Sequence, residues 1–397
     1  MPLSVIANNW PLLLGMGVLM LGAGLQSTLL GLRATLDGFP TLVTGIVMSC
    51  YYVGYVMGTV IAPPLLRQLG HIRVFAALAA VASVAILIQG GFVNPWTWGA
   101  MRLVSGLCFA GIYVVAESWL NDRATRANRG RLFALYMLIL YVGLGAAQFL
   151  LILSDPRTPA PFMLVSVLIS LAMVPIVVSA QRVPSHEMPR NVRLRELYGN
   201  TPLGVVAVTV SGLISAIIFS MGPVYARLSG LDTSGVATFM AASILAAVAT
   251  QYPVGRLSDR IDRRTVIAGV CTLAMLVAAS IVAFPAMPHA AFLALAALFS
   301  GFALTLYSLS VSHVNDKLEP AQMVASSSTL LLLNGGAAAI GPMLAGSLMT
   351  AFGPRAYFAT LAALSGTLAV FDLWRKARRR PVPPSQKGPF IRAQPRA

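Results

Sequence analysis

Twelve apolar runs of roughly 20 residues or more recur along this 397-residue chain and dictate most of what it can fold into. A run of that length, as a helix, covers the roughly 30 Å hydrocarbon core of a bilayer. No water reaches that depth, so each segment must satisfy its own backbone, which a helix does internally. The chain therefore reads as an all-α integral membrane protein with twelve transmembrane helices. Six runs, at about 11–32, 41–66, 74–93, 96–118, 131–153 and 160–180, precede a polar stretch carrying Arg182, Glu187, Arg190, Arg193, Arg195 and Glu196. Six more follow, at about 202–226, 233–254, 265–284, 289–312, 322–349 and 353–374, ahead of a tail rich in Arg and Pro. The expected division is a six-helix bundle at 1–180, a linker at 181–201, a second six-helix bundle at 202–374 and a basic tail at 375–397. The first run has no Lys or Arg before it and is too long for a signal-peptide core, so it is expected to be retained.

The formal charge of +16 raises the question of nucleic acid, but the basic residues stand singly or in short clusters between apolar runs, without interleaved aromatics. Topology accounts for them better. Twenty Lys and Arg residues flank one set of helix ends, among them Arg67, Arg73, Arg123, Arg131, Arg256 and Arg375, whereas only Arg33, Arg157, Arg227 and Arg355 flank the other. That bias places the linker and both termini in the cytoplasm. The tail cluster at 375–380 reads as a stop-transfer anchor, with anionic lipid headgroups as its partners. Cys50, Cys108 and Cys271 lie inside apolar runs without C-x-x-C spacing, and the four histidines never pair at ligand spacing, so neither a disulfide framework, a metal nor a cofactor is expected.

The two sets of six repeat with an offset of about 190 residues, and the loop residues Asn121-Asp122-Arg123 return as Asn315-Asp316-Lys317 at an offset of 194. Fixed-offset self-similarity of this kind marks a duplicated architecture, in which substrate sites lie near the midplane between the repeats.

The stretch Gly255 to Arg264 reads Gly-Arg-Leu-Ser-Asp-Arg-Ile-Asp-Arg-Arg. It resembles the signature loop of the major facilitator superfamily through Gly255, Asp259, Arg260, Arg263 and Arg264. Asp262 stands where that pattern has a second glycine, so the turn is expected to be built around an Asp that tolerates positive φ. Arg102, Gly106 and Ala110 fit the pattern of the family's fourth helix. Ala116 to Asn121, Arg129-Gly130-Arg131, Gly70 to Arg73 and Gly341-Pro342 are similar to the YcaD-like branch of bacterial members. The resemblance implies a secondary transporter moving a small molecule through the cytoplasmic (inner) membrane of a bacterium by alternating access, acting as a monomer. A transporter-like scaffold or sensor and a multidrug/proton antiporter are the alternatives; an enzyme is not expected, because no paired carboxylates, metal cluster or phosphate-cradling loop is present.

On this reading the gating residues are Arg67, Arg73, Glu117, Asp122, Gly255, Asp259, Arg260, Arg263, Arg264 and Asp316. The first-half loop has no acid matching Asp259, so Glu117 or Asp122 must supply it. Glu117 is also the candidate for proton coupling, since the other acid near a run, Asp372, reads as an interface residue beside Arg375. The candidate cavity residues are Gln26, Tyr51, Tyr55, Arg102, Tyr141, Gln148, Tyr307 and Asn334. Arg102 lies well inside its run, where a lipid-facing charge is costly, so it is expected to face the cavity or a partner, with outward snorkelling as the alternative. Gly54, Gly58, Gly336, Gly341 and Gly346 are read as close helix contacts, and Pro342 as either a packing kink or a hinge.

The charge bias makes a direct prediction. A single cysteine at position 190, on a Cys-free background, is modified by an impermeant thiol reagent in inside-out vesicles and not in intact cells; labelling in intact cells contradicts the topology.

Overall fold

The computed structural model describes residues 3–124, 128–178, 194–316, 318 and 320–378. The first half holds α1 (Leu3–Leu36), α2 (Thr41–Leu69), α3 (His71–Gly91), α4 (Pro95–Arg123), α5 (Arg129–Leu150) and α6 (Ala160–Val178). A short α7 (Leu194–Asn200) leads into α8 (Pro202–Leu228), α9 (Thr233–Arg260), α10 (Arg263–Ala283), α11 (His289–Asn315), α12 (Pro320–Phe352) and α13 (Ala356–Arg378). All but α7 are long and apolar enough to cross a membrane, twelve among the described residues. Short connections force neighbouring helices antiparallel, so the turns at 37–40, 92–94, 229–232, 284–288 and 353–355 share one face, here the far face. The opposite, linker face carries the turns at 70 and 261–262 and the linker itself.

The expected linker at 181–201 lies mostly outside the described residues, as do Arg182, Arg190 and Arg193 within it and the tail beyond Arg378. Its described end is helical: Leu197 of α7 is fully buried against Val205, Val208, Val311 and Val314, so the chain enters the second bundle through a packed turn.

Apolar tails of lipid are as apolar as leucine, so helices associate here by close packing rather than by escape from water. Glycine makes that packing possible. In the first bundle a Cβ on Gly106 of α4 would fall 1.9 Å from the Tyr51 carbonyl oxygen of α2, and Cβ atoms on Gly54 and Gly58 of α2 would fall 1.9 and 2.4 Å from the Leu103 and Leu107 carbonyls of α4. The second bundle repeats the contact in relaxed form. A Cβ on Gly301 of α11 would lie 3.3 Å from the Ala246 carbonyl of α9, and the Thr250 hydroxyl donates to the Gly301 carbonyl at 2.8 Å. Gly341 backs onto Leu213 of α8 and Gly346 onto Thr41 of α2, as the sequence suggests; Gly336 instead faces open space and brings no helix close. Pro342 is accommodated inside the continuous α12.

One local expectation fails. Residues 255–260 continue α9 for its last turns rather than forming a loop, and the turn is confined to Ile261 and Asp262. Asp262 has φ −61°, not a positive φ; it caps α10 by accepting a hydrogen bond from the Arg264 amide at 3.2 Å. An N-cap Asp needs only extended backbone, so the missing glycine costs nothing. Gly70, at the corresponding turn of the first half, does adopt φ +79°.

Gly→Ala inside a helix is normally favourable by up to ~1 kcal/mol, but forcing a methyl into a packed core costs ~1–3 kcal/mol. Gly106→Ala is expected to lower the thermal unfolding midpoint in detergent, while Gly336→Ala leaves it unchanged or raises it slightly. Equal shifts in the two variants contradict this packing.

Candidate functional site

The two bundles are clasped in the half of the molecule nearer the far face. Pro342 and Gly346 of α12 lie against Gly45 and Thr41 of α2, with a Cβ on Gly45 only 2.5 Å from the Pro342 carbonyl oxygen. The Met343 amide of α12 donates to the Ser49 hydroxyl of α2 at 3.2 Å. Ser27 of α1 donates to the Phe219 carbonyl of α8 at 3.0 Å, and Ser220 donates to the Tyr52 hydroxyl at 3.4 Å. Gly31 faces Pro223 and Ser220, and Gly145 of α5 faces Leu245 of α9. These contacts run from the far-face ends to about mid-helix, where Gly335 meets Val56.

Behind the clasp lies a buried polar layer. Arg102 sits seven residues into α4, about 10 Å along its axis at 1.5 Å per residue. It is only 2% exposed, with its guanidinium 4.3 Å from the centre of the Tyr51 ring. It forms no ion pair with any described residue; its Nε and the Tyr51 hydroxyl are both buried without a hydrogen-bond partner. Snorkelling is thereby ruled out for this conformation. Gln26 of α1, also buried, donates to the Ser105 hydroxyl one turn along α4 at 3.4 Å. An aromatic series continues towards the linker face: Tyr51 lies 6.3 Å from Tyr55 and 6.4 Å from Phe109, and Tyr55 lies 6.3 Å from Tyr113.

The remaining cavity candidates are dispersed. Gln148 is engaged in packing α5 on α1, accepting from Thr28 at 2.6 Å and donating to the Leu144 carbonyl at 3.0 Å. Asn334 ties α12 to α8 through the Val208 carbonyl at 2.9 Å and Ser211 at 3.2 Å. Tyr141 is buried on α5, and Tyr307 packs beside the small cluster around Leu197.

The gating candidates gather at the linker face in two related groups. In the second half Arg263, 1% exposed, donates to Asp316 at 2.7 Å, to Ser258 at 3.2 Å and to Asp259 at 3.3 Å. Asp259, on which the sequence centres the gate, is the half-exposed member, with 45% of its side chain accessible. Arg264 is buried beside them, Gly255 is buried one turn back, and Arg260 is exposed. In the first half His71 takes the position of Arg263, 192 residues earlier, and Asp122 that of Asp316, 194 earlier. His71 Nε2 lies 3.0 Å from the Ser118 hydroxyl and 3.8 Å from Asp122. Asp122 thus lies beside His71, Arg67 and Arg73 are exposed, and Glu117 is half-buried on α4, fifteen residues from Arg102. His71 has no gating role in the sequence reading, though its 192-residue offset from Arg263 is there to be read. Asp372, read from the sequence as an interface residue beside Arg375, is fully buried in α13.

Removing one partner of a buried ion pair costs ~3–5 kcal/mol, and of an exposed one ~0.2–1 kcal/mol. Asp316→Asn is therefore expected to lower thermal stability well beyond Asp259→Asn, with Asp122→Asn between them because its histidine partner is more distant. A loss in Asp259→Asn matching that in Asp316→Asn contradicts the ranking.

Comparisons with known proteins agree with this architecture. Residues 12–331, and again 206–396, match the sequence profile described as Major Facilitator Superfamily. An uncharacterised MFS-type transporter of Enterobacter sp. (strain 638) is 29% identical over 355 residues, covering 87% of this chain and 90% of that protein. The uncharacterised MFS-type transporter YcaD of Escherichia fergusonii is 29% identical over 345 residues, covering 86% and 88%. The solved structure of the nucleoside transporter NupG superposes with a TM-score of 0.75 at 14% identity, covering 92% of this chain and 98% of that one. A bacterial homologue of the lysosomal transporter Spinster, in an inward-facing and occupied conformation, gives 0.76 at 13% identity, covering 93% and 96%. At these identities the structural likeness is one of fold, while the profile match spans most of the chain: it belongs to the Major Facilitator Superfamily and is a multi-pass transporter of the bacterial inner membrane.

Proposed function

We propose that this transporter moves a small molecule by alternating access between the bundles 1–180 and 202–374, and that the conformation described here is open towards the cytoplasm. The observation that carries the reading is the clasp: inter-bundle hydrogen bonds and glycine contacts run from the far face to mid-helix, with the buried Arg102 layer directly behind them. The excess of Lys and Arg at the linker face supports its cytoplasmic placement. Closing that face requires the two charge groups, around Arg263–Asp316 and His71–Asp122, to approach one another as rigid helix ends. Glu117 is the candidate for coupling to protons, the basic tail binds anionic headgroups, the protein acts as a monomer, and it carries no enzymatic activity.

The clasp can be disturbed without knowing the substrate. Gly346→Val places methyls against Thr41 and Gly45, where a Cβ alone would meet the Thr41 carbonyl oxygen at 2.8 Å. A destabilisation of roughly 1.4 kcal/mol changes the balance between two states tenfold. Spin labels at Pro40→Cys and Phe352→Cys report the far face, and labels at Leu69→Cys and Leu257→Cys the linker face. Gly346→Val is expected to lengthen the first distance and shorten the second together. A far face that opens while the linker-face distance stays fixed contradicts alternating access.

A further inference from the structure

We propose that Arg102 and Tyr51 form the recognition site for a small organic monoanion, a carboxylate carried on a compact, flat or apolar body. The proposal rests on the transport reading and names its substrate class. A guanidinium is always charged in a protein and carries five hydrogen-bond donors. Here it is buried in the membrane-spanning part of the first bundle, without an ion pair to any described residue, over the Tyr51 ring and within electrostatic reach of Tyr52 and the Cys50 thiol. Its Nε and the adjacent Tyr51 hydroxyl are buried polar atoms with no hydrogen-bond partner. Two neighbouring unmatched groups in an otherwise satisfied layer, where Gln26 reaches Ser105 and Tyr52 meets Ser220, point to a ligand that supplies their partner.

The charge fixes the valence. Among the described residues Arg102 is the one Lys or Arg lying well inside a helix, whereas the others stand in connecting turns or within five residues of a helix end. A monoanion neutralises it, whereas a dianion carries a net charge into the hydrocarbon. The fork geometry of the guanidinium matches two carboxylate oxygens, and the Tyr51 hydroxyl adds a third donor. Tyr51, Tyr52, Tyr55, Phe109 and Tyr113 pack together as a buried aromatic cluster beside Arg102, which matches a ligand whose remaining body is flat or apolar. The second bundle offers no equivalent, because the positions 194 and 195 residues after Arg102 are Ala296 and Ala297. Recognition of the anion by an interior arginine therefore belongs to the first bundle. Tyr52, next to Tyr51 on α2, touches Ser220 of the other bundle, so occupancy at Arg102 sits one residue from an inter-bundle contact.

The test is thermal unfolding of the purified full-length protein with acetate, benzoate and phenylacetate, each against its neutral amide, and with terephthalate as a dianion. At least one monocarboxylate is expected to raise the midpoint saturably, its amide not to, and terephthalate to act at least tenfold more weakly. Arg102→Gln is expected to abolish the response and Arg102→Lys to retain part of it. Removing an uncompensated charge also means that ligand-free Arg102→Gln melts no lower than wild type; a merely structural arginine predicts a large fall. Indifference to all three monocarboxylates, a response that survives in Arg102→Gln, or a ligand-free Arg102→Gln protein melting well below wild type each overturns the assignment. The spin-label measurement above needs no ligand, so alternating access and anion recognition stand or fall separately.

Discussion

A backbone carbonyl of one helix resting on a glycine of the next is the contact on which this structure depends. Inside hydrocarbon, helices gain little by hiding apolar side chains from lipid, so close approach must supply the attraction. Gly54, Gly58 and Gly106 hold α2 against α4 at a separation no side chain tolerates, which fastens this pair together. The same device, at Gly45 and Gly346, joins α2 to α12 across the bundles. Among the described residues that joint carries hydrogen bonds at Ser27, Ser49 and Ser220, each of modest net worth. Tight packing within a bundle and a lightly bonded seam between bundles is the combination that lets two rigid halves rock.

The halves are repeats, and their departures from symmetry carry the chemistry. Gly106 and Gly301 are both the glycine at which the fourth helix of a bundle meets the second, 195 positions apart. Arg102 has no counterpart. At the linker face the pattern reverses: the second half holds a buried arginine between two aspartates, while the first substitutes His71 beside Asp122 and Ser118. One bundle thus carries the unmatched interior charge, and the other the stronger structural ion pair.

Much of this was legible in the sequence, because run length, offset and charge bias are consequences of the bilayer alone. Twelve spans, the duplication and the depth of Arg102 follow from counting residues. The extension of α9 through Arg260 was not legible, since charged residues at a membrane surface read equally as loop or as solvated helix end, and the cap at Asp262 decides between them. The burial of Asp372 was hidden for a related reason: distance from a helix end says nothing about which face is packed. The clasp itself, between residues 100 to 305 positions apart, leaves no local mark on composition or period.

The most direct measurement of the proposed conformation, in which the bundles meet from the far face to mid-helix and part at the linker face, is disulfide trapping in native membranes on a Cys-free background. Val56→Cys with Gly335→Cys places two thiols where a Cβ on Gly335 lies 2.9 Å from the Val56 side chain, within disulfide reach. With the linker cleaved, mild oxidation is expected to join the two halves through this pair and to leave Leu69→Cys with Leu257→Cys unjoined. Trapping of the linker-face pair with none at 56 and 335 contradicts it.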